Sequence, residues 1–305
     1  MRGFATFHPF VLFLYYAMVL IMTMLMLHPV ILVLSLFGSL LFFLTIAPLR
    51  QFLLDLGFYF FVFLLVAITN PLFVHKGETI LFFLNDDPVT LEAIVYGFVI
   101  ATMLVAVIFW SKSFSEILTT DKFLYVFGKV VPKSALVLSM AFQFVPLFKR
   151  QIKKVHEAQK TLGLYTSNSI TDRILGGIRV FNSILTWSLE SSIHRADAMK
   201  ARGYGLPKRS NFSLYKFEKR DLGMIVALFV MFFVIIFAYI KQYFAFNYYP
   251  AISDFTDTKQ YFFYFLFVFM LTILPFMMEM KENLLWTFLK RKISASPIRN
   301  KKNVS

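Results

Sequence analysis

Val30–Ala47 reads VILVLSLFGSLLFFLTIA, eighteen residues without a charge or a proline. A run of about that length, at roughly 1.5 Å of rise per residue, crosses the hydrocarbon core of a bilayer as a helix. A helix buried in a soluble protein keeps a polar face toward water, and this run has no charged side to offer. Outward from it the same pattern recurs five times. Upstream, Pro9–Leu27 is apolar and meets it at the tight turn His28-Pro29. Downstream, Pro48-Leu49-Arg50-Gln51 interrupts the pattern before Phe52–Val74, and Leu91–Trp110, Leu222–Phe244 and Tyr261–Met278 follow. Arg2 ahead of an apolar stretch from Phe10 has the outline of a signal peptide. No small-residue cleavage site precedes His28-Pro29, so the segment is expected to be a retained first span.

The composition agrees. The 305 residues are 58% hydrophobic and 19% aromatic, with 40 phenylalanines, against about 45–50% apolar in soluble domains. There is no cysteine, which excludes disulfides, thiolate metal sites and cysteine nucleophiles. The net charge of +14 would suggest nucleic acid in a soluble protein. In a membrane protein the same excess marks cytoplasmic loops, and no nucleic-acid partner is expected.

The charges also orient the chain. Ser111–Asp221 holds 19 of the 31 Lys and Arg residues, and the tail from Lys281 holds seven, including Lys290-Arg291-Lys292. The His75–Thr90 loop sets Glu78, Asp86 and Asp87 against Lys76 alone, and Phe246–Thr258 carries Asp254 and Asp257 without a base. Positive residues stay in the cytoplasm, which places Arg2, Arg50, the central block and the tail inside and those two loops outside. The expected fold class is all-α: a polytopic helical protein of the cell membrane with about six spans and both termini cytoplasmic. Its parts are spans 1–4 (1–110), a cytoplasmic helical region between spans 4 and 5 (111–221), spans 5–6 (222–280) and a basic tail (281–305).

The central block reads as two helices. The first runs from about Lys133 to Leu162; its apolar beginning, Ser134–Phe148, is expected to dip into the membrane, and Pro146 to kink it. Beyond, Phe148, Ile152, Val155 and Leu162 share a stripe that leaves the basic residues elsewhere. The second starts near Ser169-Ile170-Thr171-Asp172, a capping-box pattern, and runs to about Arg202. Ile174, Ile178, Phe181, Leu185, Leu189 and Ile193 form a stripe at helical spacing. Gly203 ends the helix in the left-handed conformation, with Gly205 and Pro207 just beyond. A guanidinium at Arg202 can grip carboxylates on a partner through paired hydrogen bonds. It can equally do no more than complement the helix dipole; the basic positions can hold the helix on anionic lipid, and the apolar stripe can be internal packing.

Ala196-Asp197-Ala198-Met199-Lys200-Ala201-Arg202-Gly203-Tyr204-Gly205 resembles the signature of the transmembrane (T) component of energy-coupling factor transporters, in which Ala-Arg-Gly ends a long cytoplasmic coupling helix. Phe144-Val145-Pro146-Leu147, leading to Ala158-Gln159-Lys160, is similar to that family's first coupling helix. Ser213-Leu214-Tyr215-Lys216-Phe217, followed by Lys219-Arg220-Asp221, is similar to its re-entry into the membrane. The resemblance covers about Val131–Asp221. One departure stands out: where the family has a second Ala-Arg-Gly, this chain has Thr161-Leu162-Gly163.

The resemblance implies a scaffold that joins two ABC-type ATPase subunits to a substrate-binding (S) membrane subunit, for uptake of a vitamin or of cobalt or nickel. ATP and Mg would be bound by the ATPases, and no cofactor by this chain. Ala201, Arg202 and Gly203 would contact one ATPase, and Leu162 and Gly163 the other. The long stripe near Phe181, Leu185 and Trp187 is expected to meet the capture subunit. The residues agree on three points. There is no G-x-x-x-x-G-K-[ST] loop for ATP. The spans lack a dense ionisable cluster, Asp55 being close enough to Arg50 to be interfacial. His8, His28, His75, His156 and His194 make no metal-binding spacing, so no catalytic or metal site is expected. A self-sufficient secondary transporter is the alternative, and it would show internal repeats; none is evident.

Overall fold

The computed structural model describes residues 3–84, 87–163, 170–204, 215–253 and 261–294. Among them are nine α-helices and one β-hairpin. After a short 3-10 turn (Phe4–Thr6) come α1 (Pro9–Leu25), α2 (Pro29–Ile46) and α3 (Leu49–Phe73). The hairpin β1 (Ile80–Leu84) and β2 (Asp87–Thr90) follows, then α4 (Leu91–Ile117) and α5 (Thr120–Val130). The remainder is α6 (Pro132–Thr161), α7 (Ile170–Ala201), α8 (Lys219–Ile240) and α9 (Phe262–Ser294). The chain divides into two compact units: Met1–Phe123 with Tyr215–Ser305, and Leu124–Leu214.

The first unit contains the apolar helices. Five of them (α2, α3, α4, α8, α9) are long and apolar enough to cross a membrane. The shorter α1, 17 residues, nevertheless runs beside α8 from end to end. Ahead of α1, the His8 N–H donates to Asp221 near the start of α8 (3.1 Å); past its other end, the Leu27 carbonyl accepts from Tyr248, beyond the end of α8. The two His-Pro pairs start α1 and α2 in the same way. Proline occupies the first turn, where its missing N–H costs nothing, and the His8 and His28 Nδ1 atoms accept from the Phe10 and Val30 N–H groups.

The core of this unit is aromatic. Phe4, Tyr15, Tyr16, Phe42 and Trp110 are fully buried, and most of their pairs meet edge to face at 5.3–6.4 Å, the arrangement their ring quadrupoles favour. Their polar atoms are tied in where partners exist: Trp110 Nε1 donates to Ser35 Oγ (3.0 Å), itself 2.8 Å from Thr23 Oγ1, and the Tyr15 hydroxyl donates to the Leu271 carbonyl (3.2 Å). At Gly38 the backbones of α2 and α9 come so close that a Cβ would lie 2.8 Å from Thr272 Cβ. Such small-residue contacts let helices approach in a medium with no hydrophobic drive between them.

Charged groups at one end clasp the N-terminal segment. Phe4 N–H donates to Glu279 (3.1 Å) and Lys122 Nζ to the Ala5 carbonyl (2.8 Å), while the Arg220 guanidinium lies 4.7 Å over the Phe7 ring.

Asp55, expected to be interfacial, pairs with Lys112 of α4 at 2.6 Å. Four expectations change. Thr120–Val130 forms a helix, α5, that the apolar runs do not predict. The His75–Thr90 loop contains the hairpin, paired Phe82↔Val89, Phe83↔Pro88 and Leu84↔Asp87, because the apolar stretch Ile80–Leu84 within it takes up strand geometry. α4 continues to Ile117. α9 continues past Met278 to Ser294, since Glu279, Lys281 and Glu282 end an apolar run but remain good helix formers. Ser169, Gly205, Pro207, Ser213, Leu214, Asp254, Asp257 and the tail beyond Ser294 lie outside the described residues.

Candidate functional site

The second unit contains α6 and α7, each more than twice the mean length of a globular helix (about 11–12 residues). Helix α6 continues through Pro146. The two helices run in opposite directions and are joined by one aromatic ladder. Trp187 meets Phe148 edge to face at 5.9 Å, Phe148 stacks on Phe144 at 5.5 Å, and the Arg195 guanidinium lies 4.3 Å over the Phe144 ring. An arginine over a ring face is an electrostatic contact that keeps its charge near water. His194, beside Arg195, is exposed and 3.9 Å from Glu190, one turn earlier.

Both helix ends are shaped by glycine. At the end of α7 the Tyr204 N–H returns to the Met199 carbonyl (3.0 Å) and the Gly203 N–H to Lys200 (2.9 Å). This is the Schellman pattern, with Gly203 at φ +73°. Arg202 is the last residue before that reversal, and it is exposed. At the end of α6 the Leu162 N–H bonds to the Ala158 carbonyl (3.2 Å), and Gly163 takes φ +71°. Leu162 is 74% exposed. A large side chain so placed gains nothing from its own fold. Because the helices are antiparallel, Arg202 and Leu162 stand at opposite ends of the pair, about 40 Å apart by helical rise. An apolar groove of about 580 Å³ beside Arg202's end is lined by Val137, Met140, Phe144, Arg195, Met199 and Tyr204.

The α7 stripe lies open. Ile174, Ile178, Phe181, Leu185, Leu189 and Ile193 are all exposed, Phe181 by 64%. The less exposed line is another one: Val180, Ile184, Trp187, Ser191, Arg195 and Met199. Trp187 therefore does not share the face of Phe181 and Leu185. Two residues past Leu185 is about 200° around a helix, and its ring is turned onto α6. The signal was present in the spacing, but Arg195 and Ser191 disguise the packed line as a polar one.

Among the described residues, no group of three or more His, Cys, Asp and Glu side chains is placed to hold a metal ion.

A bundle of apolar helices interrupted by a two-helix unit defines a multi-pass membrane protein with an inserted helical module. The sequence pattern of the CbiQ family, described as cobalt transport protein, matches residues 6–214. The chain belongs to this family of membrane transport proteins. It is similar to the energy-coupling factor transporter transmembrane protein EcfT of Staphylococcus aureus, 26% identical over 215 residues that cover 65% of this chain and 80% of that one. The protein of the same name from Listeria innocua is 29% identical over 180 residues, 55% of this chain and 68% of that one.

Proposed function

We propose that this chain is the energy-coupling membrane component of an importer for a vitamin or for cobalt or nickel ions. It transmits ATP-driven movements of two ABC-type ATPase subunits to a separate substrate-capturing membrane subunit. Its charge distribution supports a topology with both termini in the cytoplasm. The observation that carries this reading is the pair of exposed helix ends, each turned by a left-handed glycine, one presenting Arg202 and the other Leu162. Two well-separated contact points suit two ATPases. The names of the relatives support a subunit of a transporter complex rather than a self-sufficient transporter.

The two ends are chemically unequal. Arg202 enters a groove on one ATPase and pairs with a carboxylate, and Ala201 and Gly203 let the backbone come close. Leu162, above Gly163, meets the second ATPase through apolar packing. Breaking a buried charge pair costs on the order of 2–5 kcal/mol. Arg202→Glu is therefore expected to abolish uptake and to weaken one ATPase contact, while the protein still inserts in the membrane. Lys at position 202 restores part of the function, lacking the planar fork. Pull-down of each ATPase with Arg202→Glu and Leu162→Ala, together with uptake, is the test. Uptake and both ATPases unaffected by Arg202→Glu would reduce Arg202 to a helix-end charge.

The open stripe at Phe181 and Leu185 is the surface for the capture subunit; Trp187 supports it from behind through Phe148. Leu185→Asp is expected to remove that subunit from the purified complex and to leave the ATPases bound. Retention at wild-type yield counts against this surface.

A further inference from the structure

The hairpin between α3 and α4 carries an apolar strand that the bundle does not cover. β1 reads Ile-Leu-Phe-Phe-Leu from Ile80 to Leu84. A strand sends successive side chains to opposite faces, so a strand with no polar residue has no face suited to water. Packing on the bundle hides neither face: Ile80, Leu81, Phe82 and Phe83 are between 52% and 65% exposed. The partner strand differs, with Val89 and Thr90 buried and Asp87 exposed. A two-stranded ribbon is marginal in water by itself, and a long apolar strand exposed there invites aggregation.

This ribbon is held firmly. The Glu92 carboxylate accepts from the Thr79 hydroxyl (2.8 Å) and N–H (3.2 Å), and the Thr90 hydroxyl donates to the Lys76 carbonyl (2.9 Å). Gly77, at φ +148°, sits where a Cβ would lie 2.4 Å from Glu92 Oε2. The apolar strand is thus presented in a set position. It is also continuous with an exposed surface apolar enough to meet lipid. α3 is the least buried of the candidate spans, and its last turns expose Ile68, Leu72 and Phe73 just ahead of the hairpin.

We propose that β1 is an interfacial anchor, seated in the headgroup–acyl boundary of the leaflet at this end of α3 and α4. The hydrocarbon core is excluded because an open strand edge has N–H and C=O groups that lipid tails cannot satisfy; the boundary supplies water and headgroups for the edge and acyl chain for the phenylalanines. The charges in the sequence of this loop, Glu78, Asp86 and Asp87 against Lys76, do not attract anionic lipid. The occupant is therefore zwitterionic lipid, held by apolar contact. Such an anchor sets the depth of the α3–α4 pair.

The chain lacks cysteine, so single labels are clean. Full-length protein with Phe82→Cys, carrying an NBD fluorophore, is placed in phosphatidylcholine nanodiscs. Emission at position 82 is expected to be blue-shifted and quenched several-fold more by lipid bearing a shallow doxyl group than by iodide in solution, with Asp87→Cys showing the reverse. Phe83→Cys, labelled in the same way, gives an independent reading if Phe82→Cys assembles poorly. Iodide quenching at 82 and 83 equal to that at 87, without doxyl quenching, overturns the proposal. A blue shift that appears only when the other transporter subunits are added also overturns it, and makes the strand a protein contact.

Discussion

The two units treat their side chains in opposite ways. In the spanning unit Trp110 and four large aromatic residues around it are fully buried, and the Trp110 indole and the Tyr15 hydroxyl reach partners on other helices. In the inserted unit, among the described residues, only Gln159 and Gly176 are buried, and the regular apolar line of α7 faces outward. The first unit makes its own core and meets lipid with the rest. The second is a pair of long helices held by a few contacts, with apolar surface left open. The role proposed for it, following the movements of partners, suits this construction, since dense packing resists displacement.

The largest effect that could break this contrast is at the tryptophans. Trp110→Ala removes a fully buried indole and its bond to Ser35, at about 3–5 kcal/mol. Trp187→Ala, half-buried on Phe148, is expected to cost clearly less. Thermal denaturation in detergent compares them, and equal losses would mean that the inserted unit is as tightly packed as the bundle.

Glycines sharpen the contrast through its sign. Gly38→Ala forces a methyl group to within 2.8 Å of Thr272 Cβ and 2.9 Å of its carbonyl oxygen, and overpacking of this kind costs about 1–3 kcal/mol. Gly177→Ala on α7 meets nothing within 4 Å. It should stabilise the helix by up to about 1 kcal/mol, the propensity difference between the two residues. The same measurement should therefore move in opposite directions. A stabilised Gly38→Ala would show that α2 and α9 are not in close contact.

The smallest effect expected at mildly acidic pH is the acid sensitivity of the α1–α2 turn. Burial between Phe246 and Phe265 lowers the His28 pKa from 6.5 to about 4. The folded protein then stays neutral at this site where the unfolded chain takes up a proton. Stability is unaffected above about pH 6.5 and falls as the pH drops from there toward 4. His28→Asn keeps an acceptor for the Val30 N–H and removes the titration, so its denaturation midpoint should fall less across that window. Identical pH profiles for the two proteins would show that His28 is accessible to protons.

Much of this was legible in the residues because its causes are local. Apolar runs long enough for a bilayer became helices whose starts mostly fall within three residues of expectation, and α6 and α7 end within a residue of Leu162 and Arg202. Gly163 and Gly203 turn left-handed, which their lack of a side chain permits. The family resemblance likewise rests on contiguous residues; the match to 6–214 contains both coupling-helix segments, and the re-entry residues from Tyr215 to Asp221 lie beyond it. The role proposed for Arg202 and Leu162 is of another kind, since it concerns surfaces on other chains.

What the sequence determined by itself is the set of helices apart from α5 (Thr120–Val130), their polarity along the chain and the two glycine-turned ends, because backbone preference and hydrophobic length act over neighbouring residues. What only the tertiary structure decided is which surfaces meet. It gave Asp55 to Lys112, made a hairpin of a polar loop, and turned Trp187 rather than Leu185 onto α6. Several faces of these helices are apolar enough to be buried, so periodicity alone does not choose among them. The choice falls to shape, ring geometry and the placement of a few polar groups across distant segments.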